Sequence, residues 1–292
     1  DSAGPSPAAT PNSQSLPEIA IRNSTLSTLP TASLLFGNWP PAQRLYQRLA
    51  DGIDRRALRL ARLTLSPALR SAIAMQFRQH LALTVEQVEP MGGDMALAST
   101  PMIVTARTAT GQSRRYFAKI LSQHNYRTTL SLRIVRWLRG RGQVEGDILW
   151  PTLKAMAEKE HYMSLVFAAL GIPVPRPQGL YRLERHVYML VSDYLEGARP
   201  TCAVGAVSTM VVTQAFAILH RLRQAQCAHG DIKPDNVMVL PDDRTALVDL
   251  ASAENLASRK MLAEDLAAML LVMAMHHEPA AVVARARAII GD

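Results

Sequence analysis

Extended and helical signals are segregated along this chain, and that segregation limits the folds open to it. Strand signals mark "LTVEQVEP" (83–90), "PMIVTART" (101–108) and "RRYFAKIL" (114–121), with "ATG" as the turn before the last, a three-strand meander. A basic helical stretch, "RTTLSLRIVRWLRGRG", follows, and then a second helix, "TLKAMAEKEHYMSLVFAALG", closed by Gly171 and the extended "IPVPRP". "LYRLERHVYMLVSDYL" reads as two more strands joined by a turn, and after Gly197 the chain becomes mainly helical, broken by the short strands "VMVL" and "TALVDL". The expectation is an α+β chain of two lobes, with a small antiparallel sheet over 83–193, a mainly helical part over 194–292 and a cleft between them.

Two segments precede these lobes. Residues 36–82 carry apolar positions at three-and-four spacing with Arg between them, which predicts a helical extension. Residues 1–35 are rich in Ser, Pro, Ala and Thr with hardly any charge, the composition of a disordered linker. The chain opens on Asp1 rather than Met, which points to a fragment or a processed form. With 48% apolar residues over 292 positions it has material for a substantial core. The apolar stretch "LAAMLLVMAM" (266–275) is half the length of a bilayer crossing, and no signal-peptide pattern opens the chain, so the piece is expected to be soluble. Cys202 and Cys227 stand far apart without metal-ligand neighbours and read as two free, buried thiols in a reducing compartment. A net charge of +8 suits phosphate-bearing ligands, anionic lipid or nucleic acid; the last of these rests on charge alone.

Chemistry concentrates in "AHGDIKPDN" (228–236) and, thirteen positions past Asn236, in the Asp of "ALVDL". Transfer of a phosphoryl group asks a protein for alignment and charge neutralisation rather than covalent chemistry. Asp231, in a loop directly after a helix, is placed to orient or deprotonate an attacking hydroxyl. Lys233 can neutralise charge on the transferring group, and Asn236 can reach a metal from the same loop. Asp249 ends an apolar strand, so a hairpin returning from Asn236 would set its carboxylate beside that amide, a joint oxygen site suited to Mg²⁺. Lys119, inside "YFAKIL", would reach the α and β phosphates of ATP, held by an anionic partner for which Glu160 is preferred over Glu158. His229 reads as a brace for its loop and Asp265 as a helix carboxylate that holds that loop's backbone; an exposed acid at a helix start is the other reading of Asp265.

On these residues the chain resembles the protein-kinase-like superfamily, whose catalytic loop reads His-x-Asp with an Asn five residues on and a metal-binding Asp in the next strand. "HGD" is similar to the aminoglycoside phosphotransferase branch, while the Lys of "DIKPDN" is closer to protein kinases and lipopolysaccharide kinases. "RRYFAKIL", "LSLRIVRWLRGRG", "KEHYMSLVFAALGIPVPRP" and the closing "LAEDLAAMLLVMAMHHEPAAVVARARAIIGD" are most similar to kinase-like domains of actinobacterial multispanning membrane proteins related to lysylphosphatidylglycerol synthase and flippase regions. The resemblance implies a two-lobed protein-kinase-like fold and ATP- and Mg²⁺-dependent transfer to an unknown hydroxyl-bearing small molecule, lipid or sugar. It also implies a hinge, "SDYLEG", offering backbone groups of Asp193 and Leu195 to adenine, and a place at the inner face of a cell membrane beside attached spans. Arg127, Arg133, Arg136, Arg139 and Arg141, next to Trp137, would suit an anionic membrane surface, with a solvated basic face as the plainer reading. There are departures. The glycine-rich phosphate cover shrinks to Gly92 and Gly93 in "EPMGGDMALAST", "DLA" stands for Asp-Phe-Gly, and no Ala-Pro-Glu segment follows. These disfavour a peptide acceptor and leave a nucleotide-binding pseudokinase, regulating an attached membrane domain, as the alternative function.

Overall fold

A computed structural model describes residues 65–91, 99–122 and 152–291. All of these lie in one compact unit, 55–292. Gly92, Gly93, the Arg127–Arg141 stretch and the segment read as a linker lie outside the described residues.

The chain is α+β. Helix α1 (Pro67–Leu81) starts where Ser66 accepts the Leu69 N–H and Pro67 supplies a preset φ, and it stops at Ala82, which turns left-handed. Five strands follow, β1 (Thr84–Pro90), β2 (Thr100–Arg107), β3 (Ser113–Ser122), β4 (Pro177–Glu184) and β5 (Val187–Asp193). They form one sheet in the order β1-β2-β3-β5-β4, with every neighbouring pair antiparallel. Between β3 and β4 lies α2 (Leu153–Ala169), capped by Thr152 and ended at Gly171, whose φ of 67° admits glycine without strain.

The two-residue period of β3 decides which way its side chains face. Tyr116, Ala118 and Ile120 pack with Ile73 and Phe77 of α1, so the helix read as an extension shares the core of the sheet. Leu121 faces the other way and packs with Leu153, Met156 and Ala157 of α2 and Leu190 of β5. Lys119 falls on this second face, opposite Leu190 in the β3–β5 register.

After β5, β6 (Arg199–Pro200), a 3₁₀ turn at 201–203, α3 (Thr209–Gln224), β7 (Cys227–Ala228), β8 (Val237–Val239) and β9 (Thr245–Leu247) come in turn. A second 3₁₀ turn at 250–252, β10 (Glu254–Asn255), α4 (Arg259–Ala274) and α5 (Pro279–Ile290) complete the chain. The helical core gathers Val211, Phe216 and Leu222 of α3, Met269 and Met273 of α4 and Val282 of α5. It also takes Met163 and Phe167 from the C-terminal half of α2. That helix therefore has one half in each core: its first turns belong to the sheet and its last turns to the helices. No helix among the described residues is long and apolar enough to cross a membrane.

Candidate active site

Strand β3 carries Lys119 to the α2 face, and its ammonium meets two carboxylates at once. Nζ donates to Glu160 Oε1 at 2.7 Å and to Asp249 Oδ1 at 2.7 Å. Glu158, the rival candidate, instead faces Lys154 one turn back on the helix surface at 3.2 Å. Burial works against the Lys119 charge, but Glu160 and Asp249 together outweigh it and raise its pKa. Lys119, through its charge above all, holds the Asp249 carboxyl down at about 2. Glu160, itself only 6% exposed, is pushed up by burial and pulled back by the Lys119 ammonium.

Asp231, Lys233 and Asn236 come together within one short loop. Lys233 Nζ donates to Asp231 Oδ2 at 2.6 Å, and Asn236 Nδ2 donates to the same oxygen at 3.1 Å and to the Asp231 carbonyl at 2.8 Å. Both acceptors are oxygens, so the Asn236 amide nitrogen must point at them, which turns its Oδ1 away. Asp231 Oδ2 thus takes both side-chain bonds, and Oδ1 accepts none among the described residues. Strands β8 and β9 pair antiparallel, Val237 opposite Leu247, and the Val248 N–H donates to the Asn236 carbonyl at 3.0 Å. This hairpin continuation sets Asn236 and Asp249 on adjoining strand ends.

Asp249 has φ 62° and ψ 72°, a left-handed backbone uncommon for a side-chain-bearing residue. With Oδ1 on Lys119, its second oxygen and Asn236 Oδ1 are two hard donors fit for Mg²⁺, which commonly takes one or two protein oxygens and completes its shell with phosphate and water. Among the described residues no group of three or more His, Cys, Asp or Glu could cage a metal alone. The donor set thus suits an ion shared with a phosphate ligand.

The loop is braced from behind by buried groups. Asp265 of α4, 4% exposed, accepts the His229 N–H at 2.6 Å and the Gly230 N–H at 3.0 Å. Of the two readings of this residue, the loop-holding carboxylate is the one realised. His229, fully buried, takes the Asp231 N–H on Nδ1 at 3.3 Å, which leaves Nε2–H to donate to the Val248 carbonyl at 3.0 Å. Burial depresses its pKa, keeping that neutral tautomer. Gly230 shows why glycine stands before Asp231: φ is 75°, and a Cβ there would meet the Ser252 carbonyl oxygen at 2.4 Å.

In "SDYLEG", the segment read as a hinge, the Asp193 N–H donates to the Arg176 carbonyl and its side chain accepts from Gln178, whereas the Leu195 N–H finds no partner among the described residues. Arg115 holds the hinge to β3: Nε donates to Glu196 at 2.8 Å and the guanidinium lies 4.6 Å from the Tyr194 ring centre. Sequence reasoning missed this fastening. Charge pattern alone does not reveal it, because the two partners are 81 residues apart. Of the two cysteines, Cys227 is buried as expected, but Cys202 is exposed. The 3₁₀ turn places it at the surface, donating to Asp235 Oδ1 at 3.0 Å.

Comparison with protein-family models and with curated proteins finds no match to this chain.

Proposed function

We propose that this chain is a protein-kinase-like phosphotransferase domain that uses ATP and Mg²⁺ to phosphorylate a hydroxyl on a small molecule, lipid or sugar. The observation that carries the reading is Lys119 bonded at once to Glu160 and Asp249, with Asp231, Lys233 and Asn236 bonded to one another in a single loop. In this reading Lys119 holds the α and β phosphates, and the Leu195 N–H, unpaired among the described residues, meets adenine together with the backbone of Asp193. Asp231 orients the acceptor hydroxyl and takes its proton on Oδ1 as the oxygen attacks the γ phosphorus; the bond to the bridging oxygen breaks and ADP leaves. Lys233, beside Asp231, offsets charge gathering on the transferred group. Mg²⁺ at Asn236 and Asp249 would neutralise the phosphates and align them. Only nine residues, 250–258, separate Asp249 from α4, and they are taken up by a 3₁₀ turn, β10 and the helix cap, too little for a peptide platform. This supports a small-molecule, lipid or sugar acceptor over a peptide.

The alternative of a nucleotide-binding pseudokinase separates cleanly by experiment. Saturating ATP should raise stability by about 2.7 kcal/mol at a hundredfold excess over Kd, and more with Mg²⁺ than without. Asp231→Asn should retain that stabilisation and lose on the order of 10²–10⁴ in turnover. Nucleotide binding with no turnover by the unaltered chain would favour the pseudokinase; no stabilisation by any nucleotide would remove both readings.

We further place the domain at the cytoplasmic face of a bacterial membrane. The support is the family resemblance together with the basic stretch around Trp137.

A further inference from the structure

Glu160 is not the only residue of α2 with a tether. Its neighbour Lys159 is almost as deeply enclosed, with 10% of its side chain exposed, and its Nζ donates to Glu254 Oε1, a carboxylate 12% exposed. Adjacent helix residues point about 100° apart. Glu160 thus ties α2 to β3 through Lys119, while Lys159 ties it in another direction to β10. One tether leaves a helix free to roll about its axis, and two in different directions do not.

The second tether leads straight to the catalytic loop. Glu254 stands opposite Ala228, and Asn255 opposite Cys227, in the β10–β7 ladder, which the Ala257 N–H extends by donating to the Gln226 carbonyl at 2.7 Å. Strand β7 runs directly into His229, Gly230 and Asp231. Both tethers leave α2 at its middle, between the turns that pack on the sheet and those that pack among the helices.

We propose that Lys159 and Glu254 are a positioning pair, which sets the roll of α2 so that Glu160 stays on Lys119 without nucleotide and couples that contact to the loop bearing Asp231. Its consequence for turnover rests on the phosphotransferase reading; its consequence for the helix does not. With this pair, the helix needs no activation segment to hold it inward.

The test uses the full chain with Glu254→Gln, Lys159→Met, the reversed double variant Lys159→Glu/Glu254→Lys and, as a control, Glu158→Gln, which breaks the exposed pair on the same helix. Amide hydrogen exchange without nucleotide should rise together over 153–169 and 227–236 in each single variant, stay unchanged in the control and return toward the original pattern in the double variant. In the same proteins ATP turnover should fall about tenfold in the single variants, with KM for ATP moving less than about threefold, and recover in the double variant. Glu254→Gln keeps the side chain's shape, so it tests the charge even where Lys159→Met folds poorly. Unchanged exchange in both segments of Glu254→Gln, or a folded double variant that restores neither segment, would overturn the proposal. Exchange that follows the expected pattern in a chain that neither binds nor turns over ATP would support the positioning pair and remove the phosphotransferase reading instead.

Discussion

Asp249 has its carboxyl held well below the ordinary carboxylate range, and the sign of that shift sets a pH dependence. Lys119 lowers its carboxyl from an ordinary 3.8 to about 2, so the folded state prefers the carboxylate more than the unfolded chain does. The stability this supplies is fully present above pH 3.8 and is lost as pH falls through about 2. Acid unfolding should therefore steepen in that window, and Asp249→Asn should flatten it, measured by denaturant titration at a series of pH values. An unchanged slope in the variant would mean that Lys119 and Asp249 do not pair in solution. At this scale the sequence was informative about proximity: Lys119, Glu160 and Asp249 meet, as do Asp231, Lys233 and Asn236, in the groupings that their types and order suggest. What it could not tell was which oxygen of Asp231 stays open, since that depends on the direction in which the Asn236 amide turns.

Helix α4 does for the loop at 229–231 what a cap does for a helix end, supplying an acceptor to backbone N–H groups that the loop leaves unpaired. Replacing Asp265 by Ala would take the acceptor from both and strand the buried His229 N–H, at a cost of about 1–3 kcal/mol. Asp265→Asn, which keeps one acceptor oxygen, should cost less. Thermal unfolding would rank the two, and equal stability of the Ala variant and the parent would show that water replaces the carboxylate. The caps at Ser66, Thr152, Ser208 and Ser258 and the alternating burial of β2 and β3 are local signals, readable without the fold. Pairings across elements were not readable. Lys159 and Glu254 lie 95 residues apart, and only the roll of α2 and the return of β10 bring them together.

The whole molecule carries a net charge of +8, and the arginines around Trp137 concentrate part of it in one stretch. Near an anionic bilayer each such side chain contributes roughly 1 kcal/mol, so a few of them on one face would orient the domain without inserting it. In vesicle sedimentation the chain should bind weakly to anionic and not to neutral liposomes, and replacing Arg133, Arg136 and Arg139 by Gln should abolish that binding while nucleotide affinity stays constant. Equal partitioning to both vesicle types, or none to either at low salt, would count against electrostatic placement. At this scale the sequence conveyed the order of sheet and helices, but it assigned 36–82 to an extension, whereas Ile73 and Phe77 within it are part of the sheet's own core. Amphipathic spacing shows that a helix has an apolar face and does not name the surface that covers it.

The left-handed backbone at Asp249 bears on which residue could replace it. A residue with a Cβ costs about 1–2 kcal/mol in that conformation, a penalty glycine escapes. Asp249→Gly should therefore be more stable than Asp249→Ala by about 1 kcal/mol, since both lose the Lys119 contact and only one relieves the backbone. Among variants that have already lost the carboxylate, a screen for heat resistance would therefore favour glycine over alanine at 249, so the replacement recovered there would report the strain of the backbone rather than the loss of the ion pair.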